Sequence, residues 1–509
     1  VQKELDLLDI QGNVVRAYGR YNFPFARYVF LNIREHRRGR EFIGSVTQEV
    51  TSAVRWNDGP DPIKKPLSTV NIAFTYQGLK ELELPRASLI GFPMEFVMGM
   101  KKRRDILGDD GSSAPEHWDP IWRDNRETDR HKDVHVWISI NGQSKEDVQK
   151  RYEWLQQLVT HSAGGVAILS GHRGDDGQEH LPFQDVHALF ENGKPTPKEH
   201  FGYTDGIGDP VFEGLPGRPE RVQGRGKQMK NGEWVPLETG EFILGHKDEA
   251  NEYPAAPLPQ LLSRNGTYMV YRKLHENVGT FNAYLEQEGA KYPGGKELLA
   301  AKFVGRWRDN GAPLVSAPDA KSKAEWDAKF ATANPADRDR MLSGFTFDSD
   351  PHGAKCPFSS HLRRINPRAA LQFNPKAFET PGALSNRRRV LRRGLPYGAV
   401  TDPTRDDGNH GIVIMMLNAS ISRQFEFVQQ QWVNYGNDFK AGNDKEIILG
   451  NHDGSAASRA VLEVEPDSDA APYFLSKIPR LVETRGGDYF FVPSLTALRM
   501  IAKGIVDPT

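Results

Sequence analysis

The 509-residue chain contains one cysteine, Cys356. A lone thiol excludes any disulfide within the chain and every paired-cysteine zinc or redox arrangement, leaving histidine and carboxylate as the strong ligands. Long apolar runs are lacking too. The longest, Ile412 to Leu417, falls far short of the roughly 20 residues of a membrane-spanning helix. Neither charge is in excess: 66 lysines and arginines against 67 aspartates and glutamates leave a net charge of −1, so no global field draws the chain to nucleic acid or an anionic membrane. Gly224-Arg-Gly-Lys227 lacks the spacing and terminal hydroxyl residue of a phosphate loop, and no Gly-x-Gly-x-x-Gly turn joins a strand to a helix. Thr160-His-Ser-Ala-Gly164 lacks the first glycine of a hydrolase elbow, and its Ser162 follows a helix where the elbow follows a strand. The start, Val1-Gln-Lys-Glu-Leu5, has no basic region followed by an apolar run. On that reading a cytoplasmic location is favoured, and a secreted one fits if Val1 is a processed terminus.

What the chain does have is length for two or three domains and an abundance of turn formers, 48 glycines and 34 prolines, above the roughly 12% of average usage. Tyr28–Ile33 reads as a strand, Arg37–Ala53 as a helix and Val70–Tyr76 as a strand followed by a short helix near Leu79–Leu82. The unit then recurs: Val134–Ile140 alternates as a strand, Ser144–Asp147 fits a helix start and Val166–Leu169 is a closing strand. In the second half Thr267–Arg272, a short strand at Val390–Leu391, Gly411–Leu417 and Asp488–Val492 read as strands. Val278–Ala290, Arg423–Asn434 and Leu495–Lys503 read as helices. The doubled β-α-β order predicts an α+β fold of two ferredoxin-like domains with long loop insertions. We place them at 1–215 and 216–509, joined near 210–265, the second interrupted by an insertion at 296–385.

Three segments carry chemistry. His200-Phe-Gly-Tyr-Thr-Asp205-Gly-Ile-Gly-Asp-Pro210 sets one carboxylate among glycines and aromatics, so the backbone can approach a flat ligand closely; by itself it reads as an Asp-Gly turn. Cys356-Pro-Phe-Ser-Ser-His361-Leu-Arg-Arg-Ile-Asn-Pro-Arg368 is a short helix bracketed by prolines, carrying one histidine. Arg387-Arg-Arg-Val-Leu-Arg-Arg-Gly-Leu-Pro-Tyr-Gly398 packs five arginines into seven positions. Such a run is usually a solvated edge, but one arginine turned inward would supply a fixed cationic fork.

Taken together, these segments resemble the dye-decolorizing peroxidases, haem proteins of two ferredoxin-like domains in the dimeric α+β barrel superfamily. The likeness begins at Asp9-Ile-Gln-Gly-Asn13, passes through Gly202-Tyr-Thr-Asp205-Gly206 and the His361 helix, and continues through Arg392–Gly398 and Gln424–Trp432. It covers nearly the whole chain and is closest to the larger subgroup with bacterial and fungal members. The resemblance implies one haem b per chain, with His361 as the axial ligand of its iron and Glu446 as the carboxylate hydrogen-bonded to that histidine. It also implies that Asp205 and Arg392 face the peroxide, the first moving its proton and the second stabilising the charge that develops as the O–O bond breaks. An ordinary aspartate, near pKa 3.9, stays a base where a histidine near 6.5 is protonated, so activity is expected to be greatest at mildly acidic pH. Ile412 and Ile414 are expected to line the peroxide side, where fungal relatives carry leucine and phenylalanine. Tyr397 and Trp432 match positions used for surface oxidation in relatives.

The activity so implied is peroxidase action on hydrogen peroxide, with aromatic dyes, phenolic and lignin-related compounds as reductants. Mn(II) is a further candidate, for which Glu286 and Glu288 are the carboxylates to inspect. The competing reading keeps the pocket but uses it to bind haem or release its iron without peroxidase turnover. Neither reading calls for a nucleic-acid partner or a membrane span.

Overall fold

In the computed structural model, which describes residues 4–57, 63–124, 129–174, 177–215, 221–372, 382–463 and 471–505, two similar runs of strands share one sheet. Residues 1–3, 216–220 at the expected domain boundary and 373–381 near the end of the expected insertion lie outside the described residues. The first run comprises β1 (Phe25–Ile33), helix α1 (His36–Thr47), β2 (Ser68–Phe74), β3 (Val136–Gly142), helix α2 (Lys145–His161) and β4 (Val166–Ile168), with β5 (Gln184–His187) added beside β1. The second comprises β6 (Thr267–Glu276), helix α3 (Val278–Gly289), β7 (Leu391–Tyr397), β8 (Gly411–Asn418) and β9 (Val482–Val492). The sheet order is β7-β8-β6-β9-β2-β3-β1-β4, all antiparallel. Within each half the order is second, third, first, fourth, which is the ferredoxin-like arrangement twice over.

The two halves meet at β9 and β2, where a single register pair, Phe491 opposite Phe74, joins them. A side chain reinforces this thin seam. Buried Gln11 donates from Nε2 to the carbonyls of Ile72 and Pro493, both at 2.8 Å, and its Oε1 accepts from Ile72 N at 3.0 Å. The carboxylate of Asp9 accepts from Thr496 N and Asn265 Nδ2. The Asp9–Asn13 segment is therefore a clamp across the seam. The sheet also curls on itself, because the rings of Tyr28 on β1 and Tyr271 on β6 lie 6.0 Å apart although their strands are not neighbours.

Local signals fix the helix starts. Glu35 caps α1 by accepting from Arg37 N and Arg38 N, and Ser144 with Asp147 forms a capping box on α2. Helix α1 stops at Thr47 rather than Ala53, because the next residues are drawn into extended pairing: Thr51 N donates to Val70 O at 2.8 Å and Ala53 N to Ile10 O at 2.8 Å. The segment expected as an α-helix over 423–434 is wound as π-helix, Ser422–Glu426 and Val428–Val433. The insertion is more than loop. It carries helices Gly295–Val304, Ala320–Thr332 and Pro335–Ser343 around its own apolar cluster of Trp307, Leu314, Trp326, Phe347 and Cys356. Among the described residues no helix is long and apolar enough to cross a membrane.

Three histidines near the sheet are held neutral by burial. His172 is pushed down to about 3, and His200 and His275 to about 4. A histidine whose folded pKa lies below its unfolded value near 6.5 costs stability as pH falls from 6.5 toward the folded value. The urea midpoint should therefore be flat above pH 7 and drop steeply between pH 6.5 and 4. A midpoint unchanged at pH 4.5 would show that these rings are solvated.

Candidate active site

Strand alternation decides which side chains of the second half see the site. On β6, Arg272, Leu274 and Glu276 face a cavity of about 320 Å³, and on β8 Ile412, Ile414 and Met416 do so. The register places Arg392 of β7 opposite Met416 and Gly394 opposite Ile414. Gly394 is required there, since at φ +130° an added Cβ would meet Val413 O at 2.0 Å. Opposite this sheet wall the cavity is closed by helix α4 (His361–Ile365), the π-helical segment and Ile448–Leu449. Residues 199–210 form a further side.

On the sheet wall, Arg392 Nη1 donates to Asp205 Oδ1 at 3.0 Å and Nη2 to Ile207 O at 3.1 Å. Gly206 and Gly208, at φ +82° and +80°, turn the chain so that Asp205 and Asp209 both reach β7. Asp209 accepts from Arg392 N at 3.1 Å and from Arg393 Nη1 at 2.9 Å. The carboxylate and guanidinium line the cavity and are each about 30% exposed, within reach of a small ligand.

On the helix wall, His361 lies with Nδ1 3.4 Å from Glu446 Oε1. This contact is long and poorly aligned for a hydrogen bond, and Nδ1 has no other partner. Glu446 is fully buried and accepts from Ile448 N at 2.9 Å and from Leu449 N. Burial alone would push its carboxyl up. The His361 ring and the two backbone donors outweigh burial and hold it below the ordinary glutamate range. Arg364 fixes the helix by donating to the carbonyls of Trp432, Tyr435 and Asp444 at 2.7–2.9 Å. Asp444, two residues before Glu446, pairs instead with Arg459.

The arginine run is not a solvated edge. Arg387 pairs with Asp248, Arg388 stacks on Phe427, Arg389 donates to Gly208 O, Arg392 meets Asp205 and Arg393 reaches Asp209, Asn13 O and Val14 O. Sequence reasoning passed over three buried cations of the lining: Arg306, Arg368 and Arg389. None has a carboxylate partner among the described residues, and burial lowers Arg306 and Arg389 to about 10 and Arg368 further. Unpaired cations at one cavity wall, apolar side chains at others and an imidazole backed by a carboxylate fit an iron porphyrin with anionic propionates.

Two expectations need correction. Tyr397 and Trp432 are buried, 1% and 2% exposed, so neither touches a bulky substrate; Tyr397 lies under Lys273 and Trp432 donates to Asp438. Glu286 and Glu288 do not converge on a cation site. Each is paired with a lysine, Lys296 and Lys291, and no group of three metal-ligating side chains occurs among the described residues.

Comparison with known proteins agrees with the geometry. Residues 9–173 match the family model described as the DyP dimeric alpha+beta barrel domain. The chain is 26% identical to Peroxidase 2 of Mycetinis scorodonius, over 86% of this chain and 76% of that protein. It is 30% identical to the multifunctional dye peroxidase DyP2 of an Amycolatopsis species, over 60% of this chain and 61% of that protein. Among solved structures, an ancestral D-type dye decolorizing peroxidase superposes with a TM-score of 0.73 at 25% identity, covering 98% of this chain and 99% of that one.

Proposed function

We infer that this chain, which belongs to the dye-decolorizing peroxidase family, is a haem peroxidase that reduces hydrogen peroxide and oxidises dyes and phenolic compounds. The observation that carries the reading is one cavity with His361 and Glu446 on its helix wall and the Asp205–Arg392 pair on its sheet wall. Haem b, one per chain, would be held by His361 through Nε2, with its propionates toward Arg306, Arg368 and Arg389. The bound group supplies the redox iron at which the O–O bond is broken.

The chain's own residues do the rest. Asp205 takes a proton from one peroxide oxygen and delivers it to the other, which leaves as water. Arg392, fixed by Asp205 and Ile207 O, offers its charge to the oxygen on which negative charge grows. Ile412, Ile414 and Leu274 keep that space dry, which strengthens both interactions. Glu446 orients His361 and keeps its imidazole electron-rich. Residues 1–215 and 216–509 are the two ferredoxin-like units of this reading, the first lending Asp205 to a cavity built on the sheet of the second.

An absorption spectrum decides the matter. Purified protein supplied with haem should show a Soret band that shifts on adding one equivalent of peroxide and returns when a phenol is added. A band that bleaches with loss of iron, without turnover of phenol, would favour haem-iron release instead. Glu446→Gln should weaken haem retention or peroxide turnover by about 10–100-fold, the usual effect of losing an outer partner of a metal-bound histidine. Measuring haem transfer to apomyoglobin alongside steady-state rates separates the two effects.

A further inference from the structure

The same cavity wall that carries Asp205 carries two more carboxyl groups that the scheme above leaves unused, Glu199 and Glu276. Glu276 is 4% exposed at the end of β6, and its Oε2 is buried without a hydrogen-bond partner. Glu199 opens the loop that presents Asp205, and both its oxygens are occupied: Oε2 accepts from Phe201 N and Oε1 from Tyr203 N, each at 2.7 Å. The two carboxyls lie within hydrogen-bonding reach of each other. Neither has a lysine or arginine partner among the described residues. Glu276 is buried and Glu199 half-buried, and two carboxylates facing each other there without a cation are strongly disfavoured, so one proton sits between them. Glu199 accepts from two backbone donors and Glu276 from one, His200 N, so the negative charge settles on Glu199 and the proton on the more deeply buried Glu276.

We propose that Glu276 holds a proton against Glu199 and feeds it through Asp205 to the oxygen being reduced. The inference rests on the peroxidase reading. In that reaction H2O2 + 2 ArOH → 2 H2O + 2 ArO•, each phenol gives up one electron and one proton. Phenols too bulky for the cavity release their protons outside it, so two protons must enter to complete the second water. Glu276 supplies them one at a time, one with each electron, as COOH → COO⁻, and takes up a proton from bulk water after each delivery. It acts through Asp205 and is thus a positioning residue for the proton.

The surroundings favour the protonated form. Burial first, and then the facing Glu199, push Glu276 well above the ordinary carboxyl range, and the negative charge of Asp205 adds to this. Burial also raises Glu199, against the hydrogen bond from Glu276 and those from Phe201 N and Tyr203 N. The other groups facing the pair are Tyr203 and His200 on its loop, Tyr397 on β7 and His410 behind β6. Two arginines of the same cavity lining are committed elsewhere, Arg392 to Asp205 and Arg272 to Asp109.

The test uses haem-loaded protein. Infrared spectra at neutral pH should contain the carbonyl stretch of a buried, protonated carboxylic acid, sensitive to D2O. Glu276→Gln should abolish it and Glu276→Asp retain it. In stopped flow, Glu276→Gln should slow the phenol-driven return of the Soret band by about 10-fold or more beyond any loss in the peroxide step, the deficit growing with pH. Glu276→Asp should recover most of that loss. A band that survives Glu276→Gln, or a return rate unaffected across the pH range, overturns the proposal. A wild-type protein that does not react with peroxide at all would refute the peroxidase reading and with it the proton delivery, while the infrared band would still decide whether the pair shares a proton.

Discussion

Asp205→Asn should lower kcat/KM for hydrogen peroxide by about 10²–10⁴-fold while the protein still binds haem. The amide is nearly isosteric and can still accept from Arg392 Nη1, so the 3.0 Å contact and the turn at Gly206 and Gly208 have no reason to collapse. What is lost is the basic oxygen. The deficit should be present across the acidic range, because an ordinary aspartate remains ionised down to about pH 4. High activity from pH 4 to 9 in the variant would remove Asp205 from the mechanism. Arg392→Leu should cost a comparable factor, about 10²–10³-fold, by leaving growing charge without its donor. The useful acidic window has a floor set elsewhere in the fold. His200 and His275, neutral in the fold but protonated below about pH 6.5 once unfolded, oppose folding increasingly as pH falls from 6.5 to about 4. Unfolding should therefore contribute to the fall in activity at the acid end, visible as loss of the urea midpoint.

His361→Ala should weaken haem binding by on the order of 10³-fold or more, beyond the 10–100-fold of a lost outer partner. The histidine begins α4, which Arg364 pins by three carbonyls and Arg363 by Asp350 at 2.9 Å, so the helix should stay in place when the ring is removed. The vacated space beside Glu446 then suits free imidazole. Added imidazole should restore the Soret band in His361→Ala and leave Asp205→Asn unchanged. Failure of imidazole to restore the band, with the fold intact by circular dichroism, would point to a different ligand.

Much of this was legible in the sequence, for reasons that differ by residue. The strands were readable because β-branched and aromatic residues cluster between turn formers, and the repeat of that pattern gave the doubled ferredoxin-like order. His361, Asp205, Arg392 and Glu446 were pointed to by the likeness of several segments, in order, to one family rather than by any one local motif, and the fold brings Asp205, Arg392 and His361 to one cavity with Glu446 behind the histidine. Arg306, Arg368, Glu199 and Glu276 stand in no such motif; only the folded register of β6 and the path of the insertion bring them to the cavity. The π-helical turn at 422–433 was read as α-helix because both share an apolar face over so few residues. Tyr397 and Trp432 were assigned to the surface by analogy with relatives, and burial is a property of the whole fold that neither residue's neighbours reveal.

Gln11 and Asp9 bear on how the molecule is made. Their partners at Pro493 and Thr496 are 482 and 487 residues away in sequence, so these contacts cannot form until residues 493–496 have left the ribosome. The β1–β4 half can pair its own strands early, but its edge at β2 must wait for β9. Gln11 and Thr51 already cover Ile72 and Val70 along that edge, so what waits for β9 is the Phe74–Phe491 pair and the contacts at Pro493 and Thr496. The same late strand brings Val482 and Thr484 to the cavity wall, so closure of the sheet and completion of the cavity are one event.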